Sequence, residues 1–127
     1  MDFKSKDYGK VTVVTVYLTR ATLQYAVSFK DFILRQLNED NKYLVVDLSM
    51  CEYLDSTFLG ALVSSLKKTV ASGGDLKLVY SNELSSLIFE MTSMNKVFEV
   101  HKDLDEAIAS FNLSDNEDEA NGGLSWQ

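Results

Sequence analysis

Residues 51–68 read CEYLDSTFLGALVSSLKK and stand where a predicted strand gives way to a predicted helix. Three small polar residues, Asp55, Ser56 and Thr57, meet at that junction. Side chains of this kind are preferred at a helix N-cap because their oxygens accept hydrogen bonds from the first N–H groups, which have no partner inside the helix. The junction therefore predicts a helix start, with either Asp55 or Ser56 as the cap.

The residues after the junction have the spacing of an amphipathic helix. Gly60 and Ala61 are small, so we expect them to let this helix approach a sheet closely. Gly73 and Gly74 predict the end of the helix, because glycine adopts the left-handed conformation found just after many helices. The predicted apolar face consists of Phe58, Leu59, Leu62, Val63, Leu66 and Val70.

The rest of the chain alternates strands with helices. Runs of β-branched and apolar residues predict strands, including a short edge strand that turns at Gly9. Apolar residues that recur every three or four positions predict helices, with Thr22 as N-cap of the first and Asp103 as N-cap of the last. The predicted strands are 10–18, 42–48, 75–81 and 96–100, and the other predicted helices are 23–41, 82–95 and 103–111.

Apolar residues at helical spacing are expected to face the core. In the first of these helices they are Leu23, Ala26, Val27, Phe29, Ile33, Leu34 and Leu37. In the later helices they are Leu84, Leu87, Ile88 and Met91, and then Leu104, Ala107, Ile108 and Phe111.

The alternation predicts an α/β protein whose mixed, largely parallel sheet packs against about four helices. The chain has 127 residues, 46% of them apolar, which suits one domain. We place that domain at residues 1–112. Residues 113–127 contain four acidic residues, no basic residue and no apolar period, so they are predicted to be a disordered acidic tail.

The charge and composition narrow the classes of partner. Basic residues number 12 against 19 acidic ones, and no basic cluster of the kind that follows phosphates is present, which argues against nucleic acid. No apolar run has the length of about 18 residues that a membrane span needs. The first ten residues lack an apolar signal core, and a single cysteine, Cys51, fits a reducing compartment. A cytoplasmic protein is expected.

The sequence lacks several motifs by which enzymes and metal sites are commonly recognised. His101 is the only histidine, so no cluster of histidine and cysteine is available for a metal. No G-x-S-x-G elbow, P-loop or G-x-G-x-x-G loop occurs. We therefore expect no catalytic residues, no metal and no cofactor. Cys51 is expected to be a small buried apolar group.

Ser56 has a second interpretation besides capping. A hydroxyl at a helix N-terminus can carry a phosphate, because free N–H groups and the positive end of the helix dipole favour a negative group there. A phosphate adds a charge of about −1.5 to −2 at neutral pH and would change a binding surface. Another protein would have to supply it, since this chain has no nucleotide loop.

Three segments, VVDLSMCEYLDSTFLGALV (45–63), GGDLKLVYS (73–81) and LIFEMTSMNKVFEV (87–100), resemble a STAS domain of the bacterial anti-sigma factor antagonist type. The resemblance covers about residues 2–112 and implies a single SpoIIAA-like domain. It also implies partner switching: the unphosphorylated antagonist binds an ATP-using anti-sigma factor serine kinase and thereby regulates transcription. The kinase phosphorylates Ser56, and a serine phosphatase reverses this. A monomer or weak homodimer is expected.

The same resemblance assigns a phosphosite loop that binds the partner, formed by Asp55, Thr57, Phe58, Leu59 and Gly60. Asp55 would orient the loop and Thr57 would shape the cap. Phe58 stands where the family usually has glycine, and it is either an exposed anchor for a partner or a ring packed under the loop.

A second partner face is expected at Arg20, Thr22 and Leu23, where Leu23 replaces an acidic residue that is common in the family. This departure leaves other functions open. One is a STAS scaffold subunit that is not phosphorylated, as in a lipid-transport ABC complex. Another is a small-molecule binder or enzyme, which would need a pocket lined by convergent polar groups.

Overall fold

A five-stranded sheet forms the centre of the molecule in the computed structural model, which describes residues 2–80 and 88–113. The strand order is β1-β2-β4-β6-β7, and two further short strands, β3 and β5, pair separately. The strands are β1 (Phe3–Tyr8), β2 (Val11–Val16), β3 (Arg20–Ala21), β4 (Tyr43–Asp47), β5 (Tyr53–Leu54), β6 (Asp75–Val79) and β7 (Val100–His101). The helices are α1 (Leu23–Asn38), α2 (Ser56–Ala71), α3 (residues 88–91 of the described chain) and α4 (Leu104–Ala109).

The sheet is mixed and largely parallel, as the sequence predicted. Among the strands of the described residues, β1 alone runs antiparallel to its neighbour, β2, and the pairs β2–β4, β4–β6 and β6–β7 are parallel. Gly9 makes the tight turn between β1 and β2 with a φ of 64°, a conformation that glycine adopts without a steric penalty. The predicted edge strand and its turn are therefore confirmed.

The core has two parts because both faces of the sheet are covered. Val14 and Val16 of β2 face the larger cluster, which contains the buried sides of α1 and α2. Val11 and Val13 face the smaller cluster, which Ala107 of α4 helps to close. Alternate residues of a strand point to opposite faces, so the apolar composition of both faces of β2 is explained by this double cover.

Several apolar residues that were expected to face the core are exposed, and those predictions are wrong. Leu23 and Val27 of α1 are 67% and 65% exposed, and Met91 is 76% exposed. The buried side of α1 runs through Ala26, Phe29 and Ile33, with Phe32 partly buried beside them, and Leu23 and Val27 lie outside it. Leu34 and Val70 are also exposed. The predicted core residues 84 and 87 lie outside the described part of the chain.

Gly60 does not have the role that was predicted for it. It is exposed, and a Cβ added there would meet no atom within 4 Å, so it is not what brings α2 close to the sheet. Ala61, in contrast, is buried. A close backbone contact occurs instead at Gly74, after the end of α2, where an added Cβ would lie 1.8 Å from the carbonyl oxygen of Lys42.

The predicted strand at 96–100 begins too early. Residues Met94–Lys96 form a turn of 3-10 helix, and Phe98 N–H donates to the Met94 carbonyl at 2.9 Å. These bonds take backbone groups that a ladder would need, so pairing starts only at Val100.

The last helix, α4, is capped by Asp103 as predicted, with the Asp103 carboxylate accepting from Asp105 N–H at 3.0 Å. After it, Leu113 packs on the smaller cluster, although the sequence placed it in the tail. Residues 114–127 lie outside the described part of the chain.

Candidate functional site

Two strand-to-helix junctions lie side by side at the carboxyl edge of the sheet. The short strands β3 and β5 pair in parallel, Arg20 opposite Tyr53 and Ala21 opposite Leu54. Each of these strands leads directly into a helix, β3 into α1 and β5 into α2. The pairing therefore holds the beginnings of the two long helices together.

One carboxylate caps both helices. Asp55 Oδ1 accepts from Phe58 N–H at 2.8 Å, which confirms the predicted cap of α2. Asp55 Oδ2 accepts from Leu23 N–H at 2.7 Å, at the first residue of α1. Thr22 stands at the N-cap position of α1, as predicted, but its side chain makes no cap bond. Asp55 takes over that role.

Ser56 and Thr57 are the first two residues of α2, and both are exposed. The first N–H groups of a helix have no acceptor within it, and they give this end a partial positive charge. The exposed hydroxyl of Ser56 is thus placed next to backbone donors that suit a negative group.

Phe58 is fully buried beneath this junction. Its ring centroid lies 5.1 Å from that of Phe29, in a tilted contact between α2 and α1. Of the two alternatives for Phe58, the packed ring is therefore the one found, and the exposed anchor is wrong. Leu59 is also buried, with 7% of its surface exposed. The exposed part of the predicted loop is Ser56, Thr57 and Gly60.

A shallow apolar groove of about 250 Å³ begins at Ser56. Its lining comes from α2 and from the segment after α3, namely Ser56, Leu59, Gly60, Val63, Thr92 and Met94. Thr92 and Met94 are not among the predicted site residues. Their proximity to α2 arises from tertiary packing, for which the local sequence has no signal.

The other predicted partner face, at Arg20, Thr22 and Leu23, is joined to the junction by the bond from Leu23 N–H to Asp55. The Arg20 guanidinium carbon is 4.3 Å from the ring centroid of Tyr53, so its position is fixed by a cation–π contact. Thr22 is half-buried and Leu23 is largely exposed. Tyr53 was not recognised in the sequence, because its position opposite Arg20 depends on the pairing of two short strands.

A second polar cluster lies on the other face of the sheet, under the end of α4. Lys77 is buried, donates to Ser110 Oγ at 2.8 Å and forms an ion pair with Glu99 at 3.1 Å. Its ammonium group also lies 4.3 Å from the ring centroid of Phe111. His101 forms a hydrogen bond with Glu99. That bond and the Lys77 ammonium hold the pKa of Glu99 below its ordinary value, against a smaller opposing effect of burial.

The described residues contain no group of three possible metal ligands. Cys51 is buried, and burial, followed by the nearby Asp47 carboxylate, raises the pKa of its thiol to about 12. A thiol of that kind stays protonated and unreactive at neutral pH. None of the helices within residues 2–80 and 88–113 has both the length and the apolar character needed to cross a bilayer.

The chain belongs to the STAS domain family, whose model matches residues 13–107. A protein of Thermotoga maritima named "Putative anti-sigma factor antagonist" is 29% identical over 87 residues, which are 68% of this chain and 77% of that relative. The crystal structure of an anti-sigma factor antagonist from the same organism, also named as putative, superimposes with a TM-score of 0.76 at 26% identity, covering 87% of this chain and 95% of the other. The predicted family and fold are confirmed.

A more distant structural neighbour is the Bacillus cell fate determinant SpoIIAA in its phosphorylated form. It superimposes with a TM-score of 0.65 at 12% identity and covers 86% of this chain and 98% of that protein. At this identity the likeness concerns the fold alone, which is the SpoIIAA-like fold that the sequence predicted.

Proposed function

We propose that this protein is an anti-sigma factor antagonist controlled by phosphorylation of Ser56. In its unphosphorylated form it binds an anti-sigma factor that is itself a serine kinase, and so regulates transcription. The observation that carries this proposal is the position of Ser56, which is exposed at the start of α2 and lines an apolar groove. Relatives named as anti-sigma factor antagonists support the same class of function.

The surroundings of Ser56 suit a phosphate. Asp55 is already occupied by Phe58 N–H and Leu23 N–H, so its carboxylate holds the junction in place while the next hydroxyl remains exposed. A phosphate on that hydroxyl would lie within reach of the first N–H groups of α2. The core would be undisturbed, since the buried ring beneath the junction, Phe58, points away from solvent.

The groove explains how a phosphate would release a partner. Its walls are mainly apolar, with Leu59, Val63 and Met94, and an apolar side chain of a partner would fit there. A phosphate at Ser56 would place a charge of about −1.5 to −2 at the edge of that groove. Burying such a charge without a compensating partner is strongly unfavourable, so the complex would dissociate.

We expect the protein itself to have no catalytic activity. The sequence has no nucleotide-binding loop, so the phosphoryl group must come from the partner kinase, and a separate serine phosphatase must remove it. In this cycle Asp55 positions the junction, and Arg20 with Leu23 forms the second part of the partner face.

The test is intact-mass analysis of the protein isolated from its native cells, compared with Ser56→Ala and Thr57→Ala variants. Thr57→Ala is the matched control because it removes the neighbouring exposed hydroxyl. We expect one phosphate on the wild type and on Thr57→Ala, and none on Ser56→Ala. A wild-type protein that stays unmodified in every growth condition, or a phosphate retained by Ser56→Ala, would contradict the proposal.

A scaffold that binds its partner permanently is the second candidate, as in the small subunit of a lipid-transport complex. The exposed Val27 and Leu34 on α1 favour it, since they offer an apolar surface beyond the first turn of that helix, away from Ser56. Partner capture with Ser56→Ala and Ser56→Asp separates the two. Equal capture by both variants supports the scaffold, and loss with Ser56→Asp alone supports the switch.

A further inference from the structure

One half of the sheet carries a basic, aromatic surface on the face opposite α1 and α2. Lys4, Lys6 and Tyr8 of β1 stand opposite Thr15, Val13 and Val11 of β2. Residues paired in this way share a face, and Val11 and Val13 belong to the cluster that α4 closes. We call the exposed side chains Lys4, Lys6, Tyr8 and Tyr17 the basic face.

The lysines of the basic face are held over aromatic rings. The Lys4 ammonium lies 5.7 Å from the ring centroid of Tyr17, and the Lys6 ammonium lies 5.3 Å from that of Tyr8. Both tyrosines are large rings left more than two-fifths exposed. The face thus combines positive charge with flat apolar surface, which suits an acidic peptide that also contains an aromatic or aliphatic residue.

The described chain ends beside this face. Leu113 lines a groove of about 390 Å³ together with Gly9 and Lys10 of the β1–β2 turn and with Lys42 at the start of β4. From that turn, β1 leads to Tyr8, then to Lys6 and then to Lys4. Whatever follows Leu113 therefore leaves the domain where the basic face begins, at the end of the sheet opposite Ser56.

We propose that the protein's own C-terminal segment, residues 114–127, lies across the basic face. This segment has the complementary chemistry: Asp115, Glu117, Asp118 and Glu119 come first, and Leu124 and Trp126 follow. The groove at the exit contains Asp7 and Asp40 besides its two lysines, so it has no net charge to hold the acidic residues. The attraction instead comes from Lys4 and Lys6 beyond it.

The length of the segment is sufficient. Its fourteen residues span up to about 46–50 Å when extended, whereas the six residues of β1 cover about 20 Å. The acidic residues reach Lys6 and Lys4, and enough chain remains for Trp126 to contact Tyr8 or Tyr17. Exposed ion pairs are individually weak, but a tethered segment acts at an effective concentration on the order of millimolar, so several weak contacts are enough.

Trp126 provides a direct readout because it is the only tryptophan in the chain. Its fluorescence anisotropy is measured in the full-length protein at low salt for the wild type, Lys4→Glu/Lys6→Glu and Lys67→Glu/Lys68→Glu. The last variant is the matched control, since it makes the same change in net charge at two exposed lysines of α2. A third variant, Asp115→Asn/Glu117→Gln/Asp118→Asn/Glu119→Gln, defines the anisotropy of an undocked segment.

We expect high anisotropy in the wild type and in the α2 control, and a fall to the value of the neutralised segment in Lys4→Glu/Lys6→Glu. About 1 M salt, which shortens the Debye length to about 3 Å, should lower the wild-type value in the same way. Circular dichroism of each variant checks that the fold is retained. Reversing the four acidic residues to lysine in the Lys4→Glu/Lys6→Glu background should restore the wild-type anisotropy.

The proposal is overturned if Lys4→Glu/Lys6→Glu keeps the wild-type anisotropy, or if the α2 control loses as much. It is also overturned if the wild-type anisotropy rises with protein concentration, because the occupant would then be a second copy of the chain. These outcomes do not depend on Ser56, so they leave the proposed phosphorylation untouched.

Discussion

The Asp55 junction and the Lys77 cluster are both built on charged side chains, but the two regions treat charge differently. Lys77 is buried and is satisfied on several sides by Glu99, Ser110 and Phe111. At the junction, Asp55 is likewise occupied, yet the hydroxyl beside it is left exposed. The buried charge thus joins elements of the fold, whereas the junction combines a fixed carboxylate with an exposed hydroxyl.

The largest expected effect comes from the ring beneath the junction. Phe58→Ala removes a fully buried side chain that contacts Phe29, and such changes typically destabilise a protein by about 3–5 kcal/mol. Urea denaturation measures the loss. Phe58→Leu, which keeps most of the volume, should lose much less. Equal, small effects of both variants would mean that Phe58 is not packed as described.

Asp55→Ala is expected to have the next largest effect, because it removes the caps of two helices at once. Each cap is typically worth about 0.5–2 kcal/mol, so we expect a loss of about 1–4 kcal/mol in the free energy of unfolding. Thr22→Ala is the control, since Thr22 makes no cap bond and its loss should be small. Similar losses for the two variants would contradict the shared cap.

The Lys77 cluster should make the free energy of unfolding depend on pH in the acidic range. The pKa of Glu99 is lowered in the folded protein, by the hydrogen bond with His101 and then by Lys77, from an ordinary value of 4.5. A lowered pKa stabilises the fold above that ordinary value, and this stabilisation is lost as the pH falls through the folded pKa. Glu99→Gln should therefore flatten the fall in unfolding free energy below about pH 4.5.

The control for this measurement is Glu52→Gln, which changes an exposed carboxylate outside the cluster. The two unfolding free energies are compared by urea denaturation from neutral to acidic pH. A fall in stability that is the same in Glu99→Gln as in wild type would show that Glu99 has no special environment.

The smallest expected effect is a gain. Gly60 lies within α2, and an added Cβ would meet open space, so Gly60→Ala should stabilise the protein by about 1 kcal/mol through helix propensity. Gly74→Ala is the contrasting variant, since its Cβ would collide with the Lys42 carbonyl, and it should be destabilised. Thermal unfolding measures both changes: the melting temperature should rise in Gly60→Ala and fall in Gly74→Ala.

The sequence predicted those features that depend on neighbouring residues. The cap bond of Asp55 joins atoms three residues apart, and the turn at Gly9 depends on one residue. Both features could therefore be predicted from a short stretch of sequence. The second bond of Asp55, to Leu23, spans 32 positions, so no short stretch of sequence predicts it. The local sequence therefore predicts the N-cap position of Thr22 but not that Asp55 supplies the cap bond.

Periodicity predicted which helices are amphipathic but not which side of each helix is buried. Leu23 and Val27 fit the apolar spacing of α1, yet the covered side runs through Phe29, Ile33 and the partly buried Phe32. The position of that side depends on where α2 and the sheet lie, which is tertiary information. The apolar residues Val97 and Phe98 similarly predicted a strand, although their backbone N–H groups donate to the Met94 carbonyl in a turn.

The double hydrogen bond of Asp55 has a consequence for signalling. Because Oδ1 holds α2 and Oδ2 holds α1, a new negative group on the adjacent Ser56 would repel a carboxylate that both helices share. We expect the first turn of α1, with its exposed Leu23, to respond to an event that occurs on α2. A partner touching only α1 would then still sense the modification.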